Sequence, residues 1–556
     1  MNGCANISDV DFEALAVQHL ASTAAPSRTI WRRMVCPILS GLLLLAASPA
    51  LFASYTLIYS TNGGVITLTG YTGTVTGALT IPGFVNSIGG KAFYDCAYLT
   101  SVTIPANVTS IGTNAFQGCT ELDSVSIGTG VANISSSMFY GCSALGGITI
   151  PGSITNIGPE AFQNCTALTT INIGGGVASI GSNAFYGCSS LTSVTIPNAV
   201  TNIGPEAFQN CTRLDSVMIG TGVASIGASV FYDCSSLGSI TIPDTVTNIG
   251  SNAFTDCEGL TSVNIGGGVA DIAANAFDSC TSLTAFTVSS QNANFSSAGG
   301  VLFDKSQATL LQYPAAETSA SYVIPGTVTS IGVEAFDDAT KLTSITIPDS
   351  VTNIGEEAFE DCTGLTSITI PNSVTGSIGS GTFVHCTKLD NVTLGNGITN
   401  IGEDAFLFCS DLGSIIIPGS ITSISTGAFQ GCTGMTGVFF GGNAPSAVSN
   451  LFFPGTPTVY YLPGTTGWSS NYYGYAAVLW NPLILTTDGN FGIQAGQFGF
   501  TIAGTPNIPI VVQVCTNLTY GAWTPVQSCP LTNGSIYFSD PQWTNYPVCF
   551  YGLGFP

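Results

Sequence analysis

Histidine, a common catalytic and metal-binding side chain, is almost absent from this chain. Among its 556 residues only His19 and His385 are histidines. His19 falls in an N-terminal leader, so an exported chain would keep only His385. A Ser-His-Asp triad could form only around His385, and no nucleophile pattern marks the sequence there. His385 stands directly before Cys386, at the predicted end of a helical turn, which favours a capping or surface role over a ligand role.

Carboxylates are the other candidates for chemistry. Glu356-Glu357 and Glu403-Asp404 are adjacent acids at the starts of predicted helical turns, where negative charge is favourable. A carboxylate pair for glycoside hydrolysis could lie among the acidic residues, but the sequence marks none. No phosphate-binding GxxxxGKS or GxxxxGKT pattern occurs. We therefore predict no enzyme, no metal site and no cofactor.

Cysteine is abundant and regularly spaced. Thirteen of the 18 cysteines follow a phenylalanine by three residues, and this unit recurs every 23 residues through most of the chain. The phenylalanines are Phe93, Phe116, Phe139, Phe162, Phe185, Phe208, Phe231, Phe254, Phe277, Phe336, Phe359, Phe383, Phe406 and Phe429, and Ala339 replaces the cysteine after Phe336. A fixed period of about 20–50 residues indicates a solenoid.

One repeat, residues 99–120, shows how a single turn of the solenoid should fold. Leu99, Val102 and Ile104 alternate with polar residues, which predicts a short β-strand with one buried face. Pro105 stops strand pairing because it has no N–H to donate. Residues 114–119 are predicted as one helical turn that buries a phenylalanine and a cysteine. The residue before each cysteine is mostly Gly, Asn or Asp, which tolerate left-handed backbone.

The repeat cysteines are predicted to be free thiols in the core. In a stack of turns, neighbouring Cα atoms would lie about 4.8 Å apart, which is within disulfide range. The side chains, however, point inward in parallel, and the first run of nine would leave one unpaired. Ala339 at the equivalent position fits a small buried apolar side chain.

Tyrosines recur beside the phenylalanines with twice the basic period. Tyr94, Tyr140, Tyr186 and Tyr232 are spaced by 46 residues and alternate with glutamines. They should therefore lie on every second turn, about 9.6 Å apart. Two interpretations remain open: the tyrosines pack at the edge of the core, or they form a stripe that contacts a polymer or protein partner.

The repeat pattern LTSVTIPxxVTxIGxxAFxxC resembles the BspA-like branch of the leucine-rich repeat proteins, over roughly residues 60–440. The resemblance implies a curved solenoid with strands on its concave side. It also implies a secreted or surface-exposed protein that binds other proteins or cell surfaces. We predict an α/β repeat solenoid, mainly β: a curved leucine-rich-repeat array of about 14 turns of 23 residues, followed by a small all-β C-terminal domain.

The segments outside the plain repeats divide the chain. Arg32 and Arg33 precede an apolar run and small residues up to Ala53, which is typical of a signal peptide. The predicted parts are a signal peptide (1–53), an N-terminal cap with the first repeat (54–90), the solenoid (91–436) with a variant repeat or insert (281–335), a C-terminal cap (437–482) and a β-sandwich-like domain (483–556). Cys515, Cys529 and Cys549 could provide one disulfide in that last domain.

Composition narrows the class of partner. The net charge is −23, and only eight residues are Lys or Arg, which excludes nucleic acid and argues against anionic membranes. A membrane contact remains only through an uncleaved N-terminal anchor. We predict a secreted or cell-surface binding or adhesion protein whose solenoid recognises a protein or glycan partner at a cell surface. A structural envelope or matrix component and a polysaccharide-active enzyme are the alternatives.

Overall fold

The computed structural model describes residues 55–519, 522–546 and 548–555, so the predicted signal peptide lies outside the described residues. Regular structure in the described residues is almost entirely β-strand, with one 3₁₀ helix, Trp543–Asn545. Within the same residues, no helix has the length and apolar character that crossing a membrane requires. The mainly β repeat solenoid predicted from the sequence is confirmed.

An antiparallel hairpin opens the solenoid. It consists of Tyr55–Asn62 and Val65–Gly73. The second of these strands pairs in parallel with Ser87–Ile88, where Leu68 stands opposite Ile88. The hairpin therefore covers the edge of the first turn, which a repeat array requires at its end.

Each turn of the first half contributes one strand to a ten-stranded parallel sheet. We call these the front strands: Gly77–Thr80, Leu99–Ile104, Ser124–Ile127, Gly147–Ile150, Thr170–Ile173, Ser193–Thr195, Ser216–Met218, Ser239–Ile242, Ser262–Ile265 and Ala285–Val288. Their register equals the sequence period, so that Ser101 pairs with Ser124. The period therefore aligns equivalent side chains along one surface.

A second, shorter strand follows in each turn and buries one isoleucine. These side strands are Ser87–Ile88, Ser110–Ile111, Asn133–Ile134, Asn156–Ile157, Ser179–Ile180, Asn202–Ile203, Ser225–Ile226, Asn248–Ile249 and Asp271–Ile272. A glycine usually follows the isoleucine, because successive turns approach too closely for a side chain there. A Cβ on Gly158, for example, would lie 2.7 Å from the Ser136 backbone nitrogen.

The segment around each phenylalanine is not the helical turn that the sequence suggested. Asn114 and Gly118 have positive φ values of 59° and 74°, which break a helix on both sides of Phe116. The backbone N–H of Phe116 instead donates to the Met138 carbonyl of the next turn of the solenoid, at 3.0 Å. The carboxylate pairs at 356–357 and 403–404 consequently face no helix N-terminus. The left-handed residue expected before each cysteine is confirmed, including His385 with φ 57°.

The phenylalanines form a continuous stack of rings in the core. From Phe93 to Phe277, neighbouring ring centroids lie 5.1–5.7 Å apart with nearly parallel planes. Tyr71 continues the stack before Phe93, Tyr313 begins a second stack on Phe336, and Phe452 follows Phe429. These three rings lie outside the Phe-x-x-Cys pattern and extend the array from the expected 14 turns to about 17.

The repeat cysteines are unbonded and buried, as predicted. Cys119 Sγ donates to the Phe93 carbonyl of the preceding turn at 3.2 Å, and eleven further repeat cysteines make the equivalent hydrogen bond at 3.1–3.3 Å. Burial raises the pKa of the Cys165 thiol to about 12, so the thiol keeps its proton and acts as a donor.

The insert adds a hairpin and then a turn of its own. Phe295–Ala298 and Val301–Asp304 pair antiparallel, and Thr309–Gln312 joins the next side strands. Phe286 closes the first ring stack edge-on against Phe277. Leu302 packs in the core of the first half and Val301 in the core of the second, so one strand connects the two cores.

The second half repeats the same arrangement. Its front strands are Ser321–Val323, Ser344–Thr346, Ser367–Thr369, Asn391–Thr393, Ser414–Ile417, Gly437–Phe440, Thr458–Tyr461 and Tyr475–Leu479, the last of which also pairs with Asn471–Tyr472. Its side strands are Ser330–Ile331, Asn353–Ile354, Gly376–Ile378, Ile398–Ile401 and Ser423–Ile424.

The C-terminal residues form two small antiparallel sheets. One contains Leu483–Leu485, Gly492–Gln494, Gln497–Ala503 and Ser535–Asp540; the other contains Pro509–Cys515, Thr524–Pro530 and Phe550–Gly554. Phe439, Tyr460 and Trp480 share a core with these sheets, and Trp480 Nε1 donates to the Pro509 carbonyl at 2.8 Å. The disulfide considered for this region is not formed, because all three cysteines are unbonded.

We expect the thirteen repeat thiols to be free and protected. They should resist alkylation in the native chain, because they are buried, and react fully after denaturation without reductant. Mass spectrometry of the alkylated chain measures both states. Near-zero alkylation of the repeat cysteines in the denatured, unreduced chain would contradict the ladder of free thiols.

Removing one ring from the stack should destabilise the solenoid strongly. Phe185 is fully buried between Phe162 and Phe208, so Phe185→Ala should lower the free energy of unfolding by about 3–5 kcal/mol. Gln209→Ala, on the next turn and partly exposed, is the matched control and should change it little. Urea unfolding measures both, and equal effects of the two substitutions would argue against the stack as the main stabilising element.

Candidate functional site: the turn face of the solenoid

The backbone around each phenylalanine directs three side chains outward. They come from the residue two before the phenylalanine and from the two residues after it. We call the surface that these three rows form the turn face. The residue two before the phenylalanine and the residue two after it both have left-handed backbone. This backbone lets alanine, phenylalanine and cysteine point inward while their neighbours point outward. Residues 23 apart in the chain therefore become neighbours on this face.

The four predicted tyrosines all lie on the turn face, in the row directly after the phenylalanine. Tyr94 is 42% exposed, whereas Tyr140, Tyr186 and Tyr232 are half-buried. They occupy alternate turns of the stack. The structure therefore places them in one row and leaves part of every ring accessible.

Hydrogen bonds to the following turn hold two of the tyrosine hydroxyls. Asn210 Nδ2 donates to Tyr186 Oη at 3.0 Å. The hydrogen bond between Tyr232 and Asp256 raises the pKa of Tyr232 to about 12, with burial as a further cause. At the start of the row, Lys91 Nζ lies 5.4 Å from the centroid of the Tyr94 ring. Tyr186 and Tyr232 are thus both half-buried beside the core and oriented by hydrogen bonds.

Beyond Tyr232 the turn face becomes acidic. The acids of this part include Asp233, Asp256, Asp278, Glu334, Asp337, Asp338, Glu357, Glu360 and Asp361, and we call these nine the acidic cluster. Burial, together with the surrounding carboxylates, raises the pKa of Glu334 and Glu360 to about 7 and that of Asp338 to about 6. Sequence reasoning missed this cluster, because the acids are scattered along the chain until the 23-residue register aligns them.

Two acids share a hydrogen bond across the insert. Asp337 is 7% exposed, and its burial and its hydrogen bond with Asp278 raise its pKa far above the usual range. A protonated Asp337 can donate to a carboxylate oxygen of Asp278, whereas two ionised carboxylates would repel each other. This contact is therefore favourable only while the proton is present.

His385 is brought against two members of the acidic cluster. Its Nδ1 atom lies 3.4 Å from Asp361 Oδ1. One ligand atom from each of Glu360, Asp361 and His385 lies within 4.8 Å of the others. The signal for this grouping was present in the sequence, since Asp361 and His385 both stand two residues after a stack phenylalanine in consecutive turns. The expectation of no metal site did not use that spacing.

The front strands present a different, nearly neutral surface. Serine, threonine or asparagine side chains alternate with the inward-facing residues along most of these strands. A shallow concavity of about 600 Å³ lies over three of these strands, lined by residues such as Ser126, Thr149 and Asn172. Met218, 66% exposed, interrupts the polar rows. This surface offers hydroxyl and amide groups but few large side chains.

Comparisons with known proteins agree with this architecture. A family model described as "BspA type leucine rich repeat region", built from six copies, matches residues 86–215, 178–308 and 313–436. No curated protein matches the sequence.

Three similar solved structures are bacterial leucine-rich repeat proteins. A leucine-rich cell surface protein from Faecalibacterium prausnitzii is 30% identical, covering 70% of this chain and 96% of that chain, with a TM-score of 0.48. A leucine-rich repeat protein from Eubacterium ventriosum is 26% identical, covering 55% of this chain and 83% of that chain, with a TM-score of 0.49. A leucine-rich repeat protein from Bacteroides ovatus is 23% identical, covering 77% of this chain and 98% of that chain, with a TM-score of 0.45.

The raised carboxyl pKa values predict a stability that falls as pH rises. Because the native state holds protons that the unfolded state releases near pH 4, the free energy of unfolding should increase as pH is lowered from about 8 to about 5. Thermal unfolding followed by circular dichroism at several pH values measures this.

Asp337→Asn isolates the shared hydrogen bond. An asparagine amide donates to Asp278 without needing a proton, so the variant should be less sensitive to pH than the parent chain. Asp123→Asn, an exposed acid outside the turn face, is the matched control and should leave the pH profile unchanged. A parent profile that is flat between pH 5 and 8 would refute the raised pKa values.

Proposed function

This chain belongs to the family of BspA-type leucine-rich repeat proteins, and from that premise we propose that it is a secreted or cell-surface binding or adhesion protein. Its solenoid is the recognition surface, and its partner is a protein or a glycan. The row of tyrosines on the turn face is the single observation that carries this proposal, because it repeats a large side chain that lies outside the core and remains partly accessible.

Export is supported by the leader pattern of residues 1–53, which lie outside the described residues. The free repeat thiols do not oppose it, because they are buried, and burial raises the pKa of thiols such as that of Cys165, so they react slowly with oxidants. The family resemblance implies the same location.

The tyrosine row suits contact with a partner for physical reasons. Tyrosine offers a large amphipathic surface with only two rotatable side-chain bonds, so little conformational entropy is lost when it binds. The bonds from Asn210 to Tyr186 and from Tyr232 to Asp256 reduce that loss further, since they orient the rings in advance. Neutral glutamines lie between the tyrosines, so the row carries little charge of its own.

The charge of the chain limits the class of partner. Only eight residues are Lys or Arg, against 31 Asp and Glu. A polyanion such as nucleic acid would meet a repulsive surface. Stacking of tyrosine on sugar rings or on apolar side chains needs no opposite charge, which favours a glycan or a protein.

The experiment first identifies a partner and then perturbs the row. The purified full chain is applied to a glycan array and to immobilised surface proteins from its habitat, and Kd is measured for the partner found. The double variant Tyr140→Ala/Tyr186→Ala should weaken binding by roughly tenfold or more, as expected for aromatic residues at the centre of an interface.

Gln163→Ala is the matched control, because Gln163 lies between these two tyrosines in the same row. It should change Kd much less than the tyrosine pair. Unchanged binding by the double variant would overturn the tyrosine row as the contact surface and direct attention to the front strands. Self-association of the purified chain without any partner would favour a structural envelope or matrix role instead.

A further inference from the structure

The group Glu360, Asp361 and His385 has the dimensions of a metal coordination shell. Two ligands bound tetrahedrally to Zn²⁺ at about 2.0–2.2 Å are about 3.4 Å apart. His385 Nδ1 and Asp361 Oδ1 are separated by 3.4 Å, and Glu360 brings a carboxylate oxygen within 4.8 Å of both. The same 3.4 Å is long for a charge-assisted hydrogen bond, which is usually about 2.7–2.9 Å. Nδ1 also lies 3.4 Å from Asp361 Oδ2, so the two side chains are joined by a long direct contact whose dimensions also suit two ligands of one ion.

The imidazole of His385 is held in place by its neighbours. Its ring stacks on Phe408 of the next turn, with centroids 5.3 Å apart and planes inclined by 14°. The His385 backbone N–H donates to the Leu407 carbonyl at 2.8 Å. The side chain nevertheless remains 43% exposed, and that of Asp361 39%. An ion from solvent can therefore reach a donor set that is already oriented.

The surroundings of this group are acidic and attract cations. Among the described residues, no lysine or arginine forms an ion pair with these acids. His385–Asp361 is the one ion pair found in the described part of the chain. Glu357 and Asp278 act electrostatically on Glu360, and Asp338 interacts with Asp361. A divalent ion at this point would relieve repulsion among five carboxylates at once.

We propose that Glu360, Asp361 and His385 bind a divalent transition-metal ion, with Zn²⁺ the best match. An imidazole nitrogen beside two carboxylate oxygens suits Zn²⁺ and its first-row neighbours, whereas Ca²⁺ and Mg²⁺ prefer oxygen ligands alone. Three protein ligands leave a fourth position for water or for a donor from another molecule. The site does not depend on the tyrosine row or on the partner proposed above.

The histidine distinguishes a specific site from the general attraction of cations to acidic side chains. A cation held only loosely among exposed acids would not show a dependence on one histidine.

The test is isothermal titration of the metal-depleted full chain with Zn²⁺, and separately with Ca²⁺. One Zn²⁺ ion per chain should bind, more tightly than Ca²⁺. His385→Asn should weaken Zn²⁺ by about tenfold or more, since even loss of a supporting partner of a ligand usually costs about 10–100-fold. Asparagine tolerates the left-handed backbone of this position, so the variant should fold.

Asp233→Asn is the matched control, because Asp233 occupies the equivalent position on a turn that has no neighbouring histidine. It should leave Zn²⁺ affinity unchanged. As a second readout, Co²⁺ should broaden the imidazole proton signals of His385, which are simple to assign in a chain with two histidines. Absence of saturable Zn²⁺ binding, equal affinity of the parent and His385→Asn, or no broadening of the His385 signals would each overturn the proposal.

Discussion

Every turn of this protein depends on the next turn for its backbone hydrogen bonds. The Phe116 N–H donates to Met138 and the Gly118 N–H to Tyr140, each one turn away. The thiol of each repeat cysteine adds a bond to the turn before it, and the phenylalanine rings fill the space between. No turn can shift along the chain without breaking all of these at once. The 23-residue register is therefore the constraint on which the fold and its surfaces depend.

That register also creates the functional surfaces. A position that points outward in one turn points outward in all of them, so a surface row consists of residues one repeat apart, which is 23 residues in most turns and 24 between Asp361 and His385. The tyrosine row, the acidic cluster and the Asp361–His385 pair all arise in this way. Binding chemistry can then change from one turn to another while the Phe and Cys positions stay constant. The turn face accordingly has a half that carries the tyrosines and a half that is rich in acids, on the same kind of backbone.

The sequence predicted the parts of the structure that the period controls directly: the front strands, the buried Phe and Cys, and the left-handed residue before each Cys. It did not predict the backbone at residues such as Asn114, because a second left-handed residue there has no distinctive residue type. Tyr71, Tyr313 and Phe452 were missed as stack members since none is followed by a cysteine. The contact between Asp278 and Asp337 depends on how the insert closes, and no period describes that.

The acidic cluster lowers the stability of the folded state, so its presence needs a physical explanation. Burying Asp337 and half-burying Glu334 and Glu360 without a lysine or arginine partner opposes folding. The ring stack continues beneath this surface from Phe336 to Phe429, and the thiol ladder resumes at Cys362, so the core that stabilises each turn is kept there. Neutral Gln and Asn occupy the same positions in other turns, so the fold itself does not require the acids. The fold tolerates these mutually repelling carboxylates but does not require them. A cation that binds among them would relieve the repulsion, which makes this surface a good place for a cation-dependent role.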